Sequence, residues 1–303
     1  MSINNIAFKE ATTDELDKKL VSGTVTGFLA DNNLHAKFIG AKTVNIPVLG
    51  MNGMGDYDRD TGFARGSVSV THTPFTLQMD RGRSFQIDAQ DVDESGIADL
   101  AGQIMGEFVR TKVVPEVDAY VLSKLAGYAY SMGQVVQGNL PSETYKILTN
   151  AIANVRNVVG YDEELVAFVN NDIFTKLQNS QEISRHLVMN DFKKGELHTQ
   201  VTSLNGVAIL PVVDNCMKSA YDFYDGTTSG QEAGGFVPAD GAKSVGILIM
   251  PRRGASLIKK TEQVRTFTPE NNQSADAWKL DYRLYYDVFV KDSMKGGICA
   301  FIY

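Results

Sequence analysis

From Trp278 to Val290 the sequence WKLDYRLYYDVFV alternates, with charged residues at five of the seven positions opposite its apolar face. Trp278, Leu280, Tyr282, Leu284, Tyr286, Val288 and Val290 fall on one face, while Lys279, Asp281, Arg283, Asp287 and Lys291 take opposite positions. Successive side chains of a strand point to opposite faces, so this period of two predicts one β-strand with an apolar and a polar side. Its thirteen residues span about 43 Å at ~3.3 Å each, whereas ordinary strands hold five or six residues. A strand of that length needs an equally long element against its apolar face.

The sequence supplies one. Ile97, Leu100, Ile104 and Phe108, resuming with Val113, Val117 and Tyr120, recur at the three-and-four spacing of an amphipathic helix. A helix from Ser95 to Ala129 would be about 52 Å long at ~1.5 Å per residue. Pro115 removes a backbone donor inside it, which predicts a kink near residues 111 to 115. The carboxylates of DVDES at 91–95 read as the helix start, where acidic groups favour the positive end of the dipole, ahead of a catalytic dyad.

Before this helix, KTVNIPVLG reads as a strand and SVSVTHTPFTLQM as its return, joined by a Gly- and Asp-rich stretch from Gly50 to Gly66. Structureless turns of that length are functional or mobile more often than they are part of a core. Within it, Asp56, Asp58 and Asp60 stand at every second position, as in an EF-hand loop. Counting from Asp56, however, positions six and twelve hold Thr61 and Ser67, not the Gly and bidentate Glu the loop requires, and Arg59 and Arg65 offset the charge. A polar turn is the better reading.

Residues 1–44 are mixed, with a short helix expected over 13–20 behind the capping-box pattern TTDE. From 131 to 242 the texture is that of a small α/β domain. Helices are expected at 142–158 and 171–179, a strand at 165–169, a hairpin at Asn205-Gly206, and a surface loop over the Gly-rich 222–242.

Much chemistry is excluded. With 36 acidic against 29 basic residues and a net charge of −7, the chain is a poor phosphate neutraliser, so contact with nucleic acid should be loose and non-specific. Cys216 and Cys299 belong to no metal-ligand spacing and read as buried thiols. There is no P-loop, and in GMNGMGDYD Asp58 stands where a dinucleotide fingerprint needs its third glycine. His35, His72, His186 and His198 are scattered. No catalytic residue, metal ligand or cofactor site is predicted. No apolar run reaches the length of a membrane span, and the N-terminus lacks the order of a signal peptide.

The sequence resembles the major capsid proteins of tailed bacteriophages, the Hong Kong 97-type fold, and is similar to those of phages of Gram-positive bacteria in the phrases GDYDRDTGF, DRGRSFQIDAQDVDES, EFVRTKVVPEVDAY and ENNQSADAWKLDYRLYYDVFV. The resemblance implies an α+β chain with an N-terminal arm (1–44), an extended β-hairpin loop (45–86), a spine helix in the peripheral domain (87–130), an axial domain (131–242) and a return to peripheral strands (243–303). It implies a self-assembling icosahedral shell of pentamers and hexamers around double-stranded DNA, formed in the bacterial host's cytoplasm and ending in the virion. Portal and decoration proteins are implied as partners. With about forty residues before the hairpin and no propeptide-sized extension, a separate scaffolding protein is expected. Asp56, Tyr57, Asp58, Arg59, Asp60 and Arg65 at the loop tip, and Arg81 and Arg83 at its base, become candidates for contacts with neighbouring subunits, and Pro115 for the spine kink. Some members cross-link their shells through a lysine in this loop; here no lysine lies between Thr43 and Thr111, which removes that chemistry. Two other readings stay open: an encapsulin-type compartment holding cargo enzymes, and a small-molecule enzyme for which the sequence offers no site.

Overall fold

The computed structural model of the chain describes residues 20, 23–31, 37–39, 42–60, 62–90, 100–137, 144–179, 188–194, 197–272 and 275–303. All but the last residue of the helix expected over 13–20, the acidic cluster at 91–95 and the start of the long helix fall outside these residues.

The chain first forms a three-stranded antiparallel sheet from β1 (Lys37–Ile39), β2 (Thr43–Met51) and β3 (Val68–Thr76), with β2 central. β2 and β3 are the expected hairpin, in unbroken register from Thr43 opposite Thr76 to Met51 opposite Val68. Only the base is covered. Val44 and Ile46 point inward and, with Leu77, Ile258, Tyr285 and Phe289, make a small core; beyond Ile46 no residue of either strand is buried. The return run is broken at Leu77 and Gln78, after which β4 (Met79–Asp88) pairs elsewhere.

The spine is α1 (Leu100–Phe108) and α2 (Val114–Ser131), joined through a π turn at Val109–Val113. Where a kink at 111–115 was expected from Pro115, the helix holds this turn at Val109–Val113, which ends before the proline. Val114 N–H donates to the Val109 carbonyl, five residues back, and Pro115 follows in the first turn of α2, where a missing N–H is tolerated. Met105, Val109, Val113, Val117, Val121, Leu125 and Ala129 are all buried. The expected Val113, Val117 and Tyr120 are buried, while before the turn the buried residues are Met105 and Val109 and the expected Ile104 and Phe108, one position back, are half-buried. The spine ends in a Schellman motif: Gly133 takes φ +69°, its N–H donates to Tyr130, and Gln134 N–H donates to Ala129.

Next come β5 (Val135–Gln137), α3 (Thr144–Val159), β6 (Leu165–Asn170), α4 (Asn171–Asn179), β7 (Val188–Lys194), β8 (Leu197–Leu204) and β9 (Val207–Val212). Asn205 and Gly206 sit between β8 and β9 with φ +52° and +75°. Both residues are left-handed, as a type I′ hairpin requires. The expected surface loop over 222–242 needs correction. It holds a two-stranded ribbon, β10 (Tyr221–Phe223) against β11 (Phe236–Pro238), whose Tyr221, Phe223 and Phe236 pack on the main core.

The chain closes with β12 (Val245–Pro251), β13 (Ala255–Phe267), β14 (Ala277–Val290) and β15 (Cys299–Ile302). A seven-stranded mixed sheet runs β5-β15-β12-β6-β9-β8-β7, so strands from beyond residue 242 lie among those of 135–212. Its central strand β6 is buried on both faces: Leu165, Ala167 and Val169 meet α3 and α4, while Val166 and Phe168 join the core that α2 shares. The second sheet is β13-β14-β4. β14, fourteen residues long, is its centre, and Leu280, Tyr282, Leu284, Tyr286, Val288 and Val290 pack in the same core as the spine. Edge-to-face contacts of Phe108 with Tyr282 and of Tyr120 with Tyr286 fix the rod against the strand.

Candidate functional site

At the far end of the hairpin the chain turns tightly. Asp58 N–H donates to Gly62 O (3.2 Å) and Gly62 N–H returns to Asp58 O (2.8 Å), with Gly62 at φ +82°, a conformation glycine adopts without strain. One Asp58 carboxylate oxygen accepts the Asp60 N–H at 2.7 Å, so it shapes the turn from within. Tyr57 and Phe63 flank the turn with ring centroids 4.8 Å apart, yet are 60% and 86% exposed. Asp56, Arg59, Asp60 and Arg65 also point into solvent. Thr61 lies outside the described residues.

The apolar surface was not anticipated from the sequence. Leu49, Met51, Met54, Val68 and Val70 join Tyr57 and Phe63, all more than half exposed. Clustered exposure of this kind marks a surface made to be covered. Its signal in the sequence is a strand alternation whose apolar half is covered by nothing among the described residues.

Arg81 behaves differently. Its Nε donates to Glu116 Oε1 at 2.6 Å and its Nη2 to Oε2 at 3.3 Å, while Nη1 and Nη2 reach the carbonyls of Tyr224 and Gly235. The guanidinium also lies over the Phe223 ring. Arg81 therefore ties β4, the spine and the ribbon of its own chain together. Gly82 beside it is required by space: a Cβ there would stand 2.8 Å from Tyr282 O. Arg83 is exposed and donates to the Glu232 carbonyl at 3.1 Å. The structure thus separates an open tip from a base joined to the body.

Asp287, placed on the polar face of β14 by alternation, is fully buried. β4 stops pairing at Met79 opposite Tyr286, and the Asp287 carboxylate accepts the next N–H, that of Gln78 (3.1 Å), together with Tyr120 OH (2.8 Å), Lys124 Nζ (2.5 Å) and Val288 N–H (2.7 Å). Burial and this carboxylate push the Tyr120 hydroxyl well above the usual phenol range. The cluster is a fully partnered structural joint. Asp118 forms another, accepting Val25 N–H, Thr26 N–H and Thr26 OH and so holding the early chain on the spine.

Among the described residues no three His, Cys, Asp or Glu side chains are grouped to hold a metal ion. His72 is exposed on β3; His35 and His186 lie outside the described residues. Burial pushes the Cys216 thiol up to about 12 and Cys299 to about 11, far from a reactive thiolate.

No family model and no curated protein matches the sequence. Solved structures do. A structure from Gordonia phage Cozz aligns with TM-score 0.58 at 11% identity over 91% of this chain and 85% of that one. The capsid of cyanophage P-SCSP1u aligns with TM-score 0.57 at 11% identity (88% and 84%), and the bacteriophage PhiM1 mature capsid with TM-score 0.55 at 14% identity (86% and 82%). The chain has the Hong Kong 97-type fold of phage capsids. A virus-like particle from Pyrococcus furiosus is also similar, with TM-score 0.53 at 10% identity over 97% of this chain and 99% of that one.

Proposed function

We propose that this chain is the major capsid protein of a tailed bacteriophage, a structural protein whose copies close into an icosahedral shell around double-stranded DNA. The observation that carries the reading is the hairpin: in a chain with a capsid fold, a long two-stranded arm leaves its own core beyond Ile46 and holds apolar and charged side chains in solvent. Such an arm contributes little to its own subunit, and its natural use is to bury that surface on another. Assembly in the host cytoplasm on a separate scaffolding protein, a portal at one vertex, a possible coat of decoration protein and loose contact with the enclosed DNA belong to the same proposal. The net charge of −7 fits a shell that does not grip its genome.

The test is negative-stain electron microscopy of the chain expressed alone and with its scaffolding partner, sized by light scattering. Closed shells tens of nanometres across are expected; a uniform monomer or dimer under both conditions would overturn the reading. The likeness to the Pyrococcus particle keeps an encapsulin-type compartment as the second reading, and shells that carry cargo protein in place of DNA would select it.

A further inference from the structure

Between β4, the π turn of the spine and the loop of the β10–β11 ribbon lies a cleft of about 320 Å3. That is the small end of the range for ligand sites, the size for a ligand of one or two rings. Phe85, Phe108 and Tyr282 form an aromatic wall, with Phe108 edge-on to both others (5.0 and 5.7 Å). The ribbon contributes Gly226, Ala233, Gly234 and Gly235, so much of its side of the cleft is backbone and leaves room for a flat group. Gly226 is required there, because a Cβ would stand 2.9 Å from Arg83 Nη1.

The charges of the lining do not balance. Three cations, Arg81, Arg83 and Lys112, stand against two carboxylates, Glu116 and Asp225, which leaves one positive charge over. Arg81 binds Glu116, and Asp225 accepts Thr227 N–H, Thr228 N–H and Thr228 OH within its own turn. Arg83 and Lys112 are exposed at the rim, and neither has an ion-pair partner among the described residues. The bond from Arg83 to the Glu232 carbonyl (3.1 Å) holds its guanidinium beside the ribbon. Independently of these charges, Tyr286 also lines the cleft; it is 1% exposed, and its hydroxyl is buried without a hydrogen-bond partner. A buried hydroxyl left unpaired is costly, so this one marks a place for a polar atom from outside. An inorganic anion would meet the cations and leave the rings wet, whereas an uncharged ring would leave the cations unmatched. We propose that the cleft binds a small planar aromatic carboxylate, its rings against Phe85, Phe108 and Tyr282, its carboxylate at Arg83 and Lys112, and a polar ring substituent at the Tyr286 hydroxyl. An occupant would touch β4, the spine and the ribbon together, the three elements that Arg81 already joins, and so would stabilise their joint. The assignment is independent of the shell reading.

The probe is a hydroxynaphthoate with its carboxylate and hydroxyl at opposite ends of the fused rings, its fluorescence titrated with the full chain. Saturable binding is expected, accompanied by a rise in the thermal midpoint of the chain. Arg83→Gln with Lys112→Gln should weaken it about tenfold, as for loss of two exposed charge contacts. Tyr286→Phe keeps the ring, so it should leave the affinity for plain naphthoate unchanged and abolish an approximately fivefold preference for hydroxynaphthoate, the worth of one hydrogen bond. Tyr57→Ala with Phe63→Ala, which removes the exposed aromatic pair at the hairpin tip, should change nothing. Absence of saturable binding up to millimolar probe would overturn the proposal. So would binding that survives loss of Arg83 and Lys112 but is lost with the tip pair, since the probe would then be adsorbing to exposed apolar surface. Inorganic phosphate displacing the probe at equal concentration would overturn the aromatic part, and a preference for hydroxynaphthoate that persists in Tyr286→Phe would overturn the role of that hydroxyl.

Discussion

Arg81 and Asp287 carry more of this structure than any exposed charge. Arg81 joins residues 35, 143 and 154 positions away, and with Arg81→Ala the nearly buried Glu116 loses its ion pair and the carbonyls of Tyr224 and Gly235 lose donors. We expect Arg81→Ala to destabilise the subunit by about 2–3 kcal/mol in urea unfolding, the range for hydrogen bonds to charged groups. Asp287→Ala strips the acceptor from Tyr120, Lys124 and Gln78 and should cost about 3–5 kcal/mol, as for removal of one partner from a buried pair. A loss under ~1 kcal/mol in either case would contradict the joint roles assigned to them. At the tip the expectation reverses. Asp58→Ala with Asp60→Ala removes the Asp60 N–H cap but touches no core, so thermal unfolding should stay unchanged while shell assembly falls; normal shells would count against the tip as a contact. The tip's charged residues were legible in the sequence because polar, glycine-rich turns lie on surfaces. The partners of Arg81 were not, since they come from two distant elements, the spine and the β10–β11 ribbon.

Among the elements, those defined by local spacing matched the sequence best. α3 spans 144–159 against an expected 142–158, and α4 and β6 agree to within a residue. The Asn205-Gly206 hairpin is as strong: Gly206→Ala forces a Cβ into φ +75° and should destabilise by about 1 kcal/mol, read as a lower urea midpoint with an unchanged slope. The spine was legible as a helix and, from Val113 on, in phase. Before the π turn the buried row takes Met105 and Val109 in place of Ile104 and Phe108, and the five-residue step from Phe108 to Val113 is the trace of that turn in the apolar spacing. The ribbon β10–β11 was missed for a different reason. Three-residue strands in a glycine-rich segment carry too few alternations to count, and they are held by Tyr221, Phe223 and Phe236 resting on a core assembled elsewhere.

For the molecule as a whole, buried titratable groups set the response to alkali. The thiols of Cys216 and Cys299, raised by burial from an ordinary 9.0 to about 12 and about 11, favour the folded state fully below pH 9. That contribution is lost as pH climbs through their folded values, because the unfolded chain ionises first. Tyr120 and Tyr286, raised by burial from 10.0, add the same sign above pH 10. The unfolding midpoint should therefore fall progressively above pH 9, and both thiols should resist alkylation at pH 8 until the chain is denatured; rapid labelling of the native protein would contradict this. By itself the sequence determined the long alternating strand, the long helix, the open hairpin and the absence of clustered catalytic motifs, because each is a matter of spacing between near neighbours. Tertiary structure alone decided that Asp287 on a polar face is buried, that Arg81 turns inward, that strands from both ends of residues 135–302 share one sheet, and that a cationic aromatic cleft opens beside the spine. Those outcomes depend on which distant segments arrive side by side, and burial and charge pairing are settled only when they do.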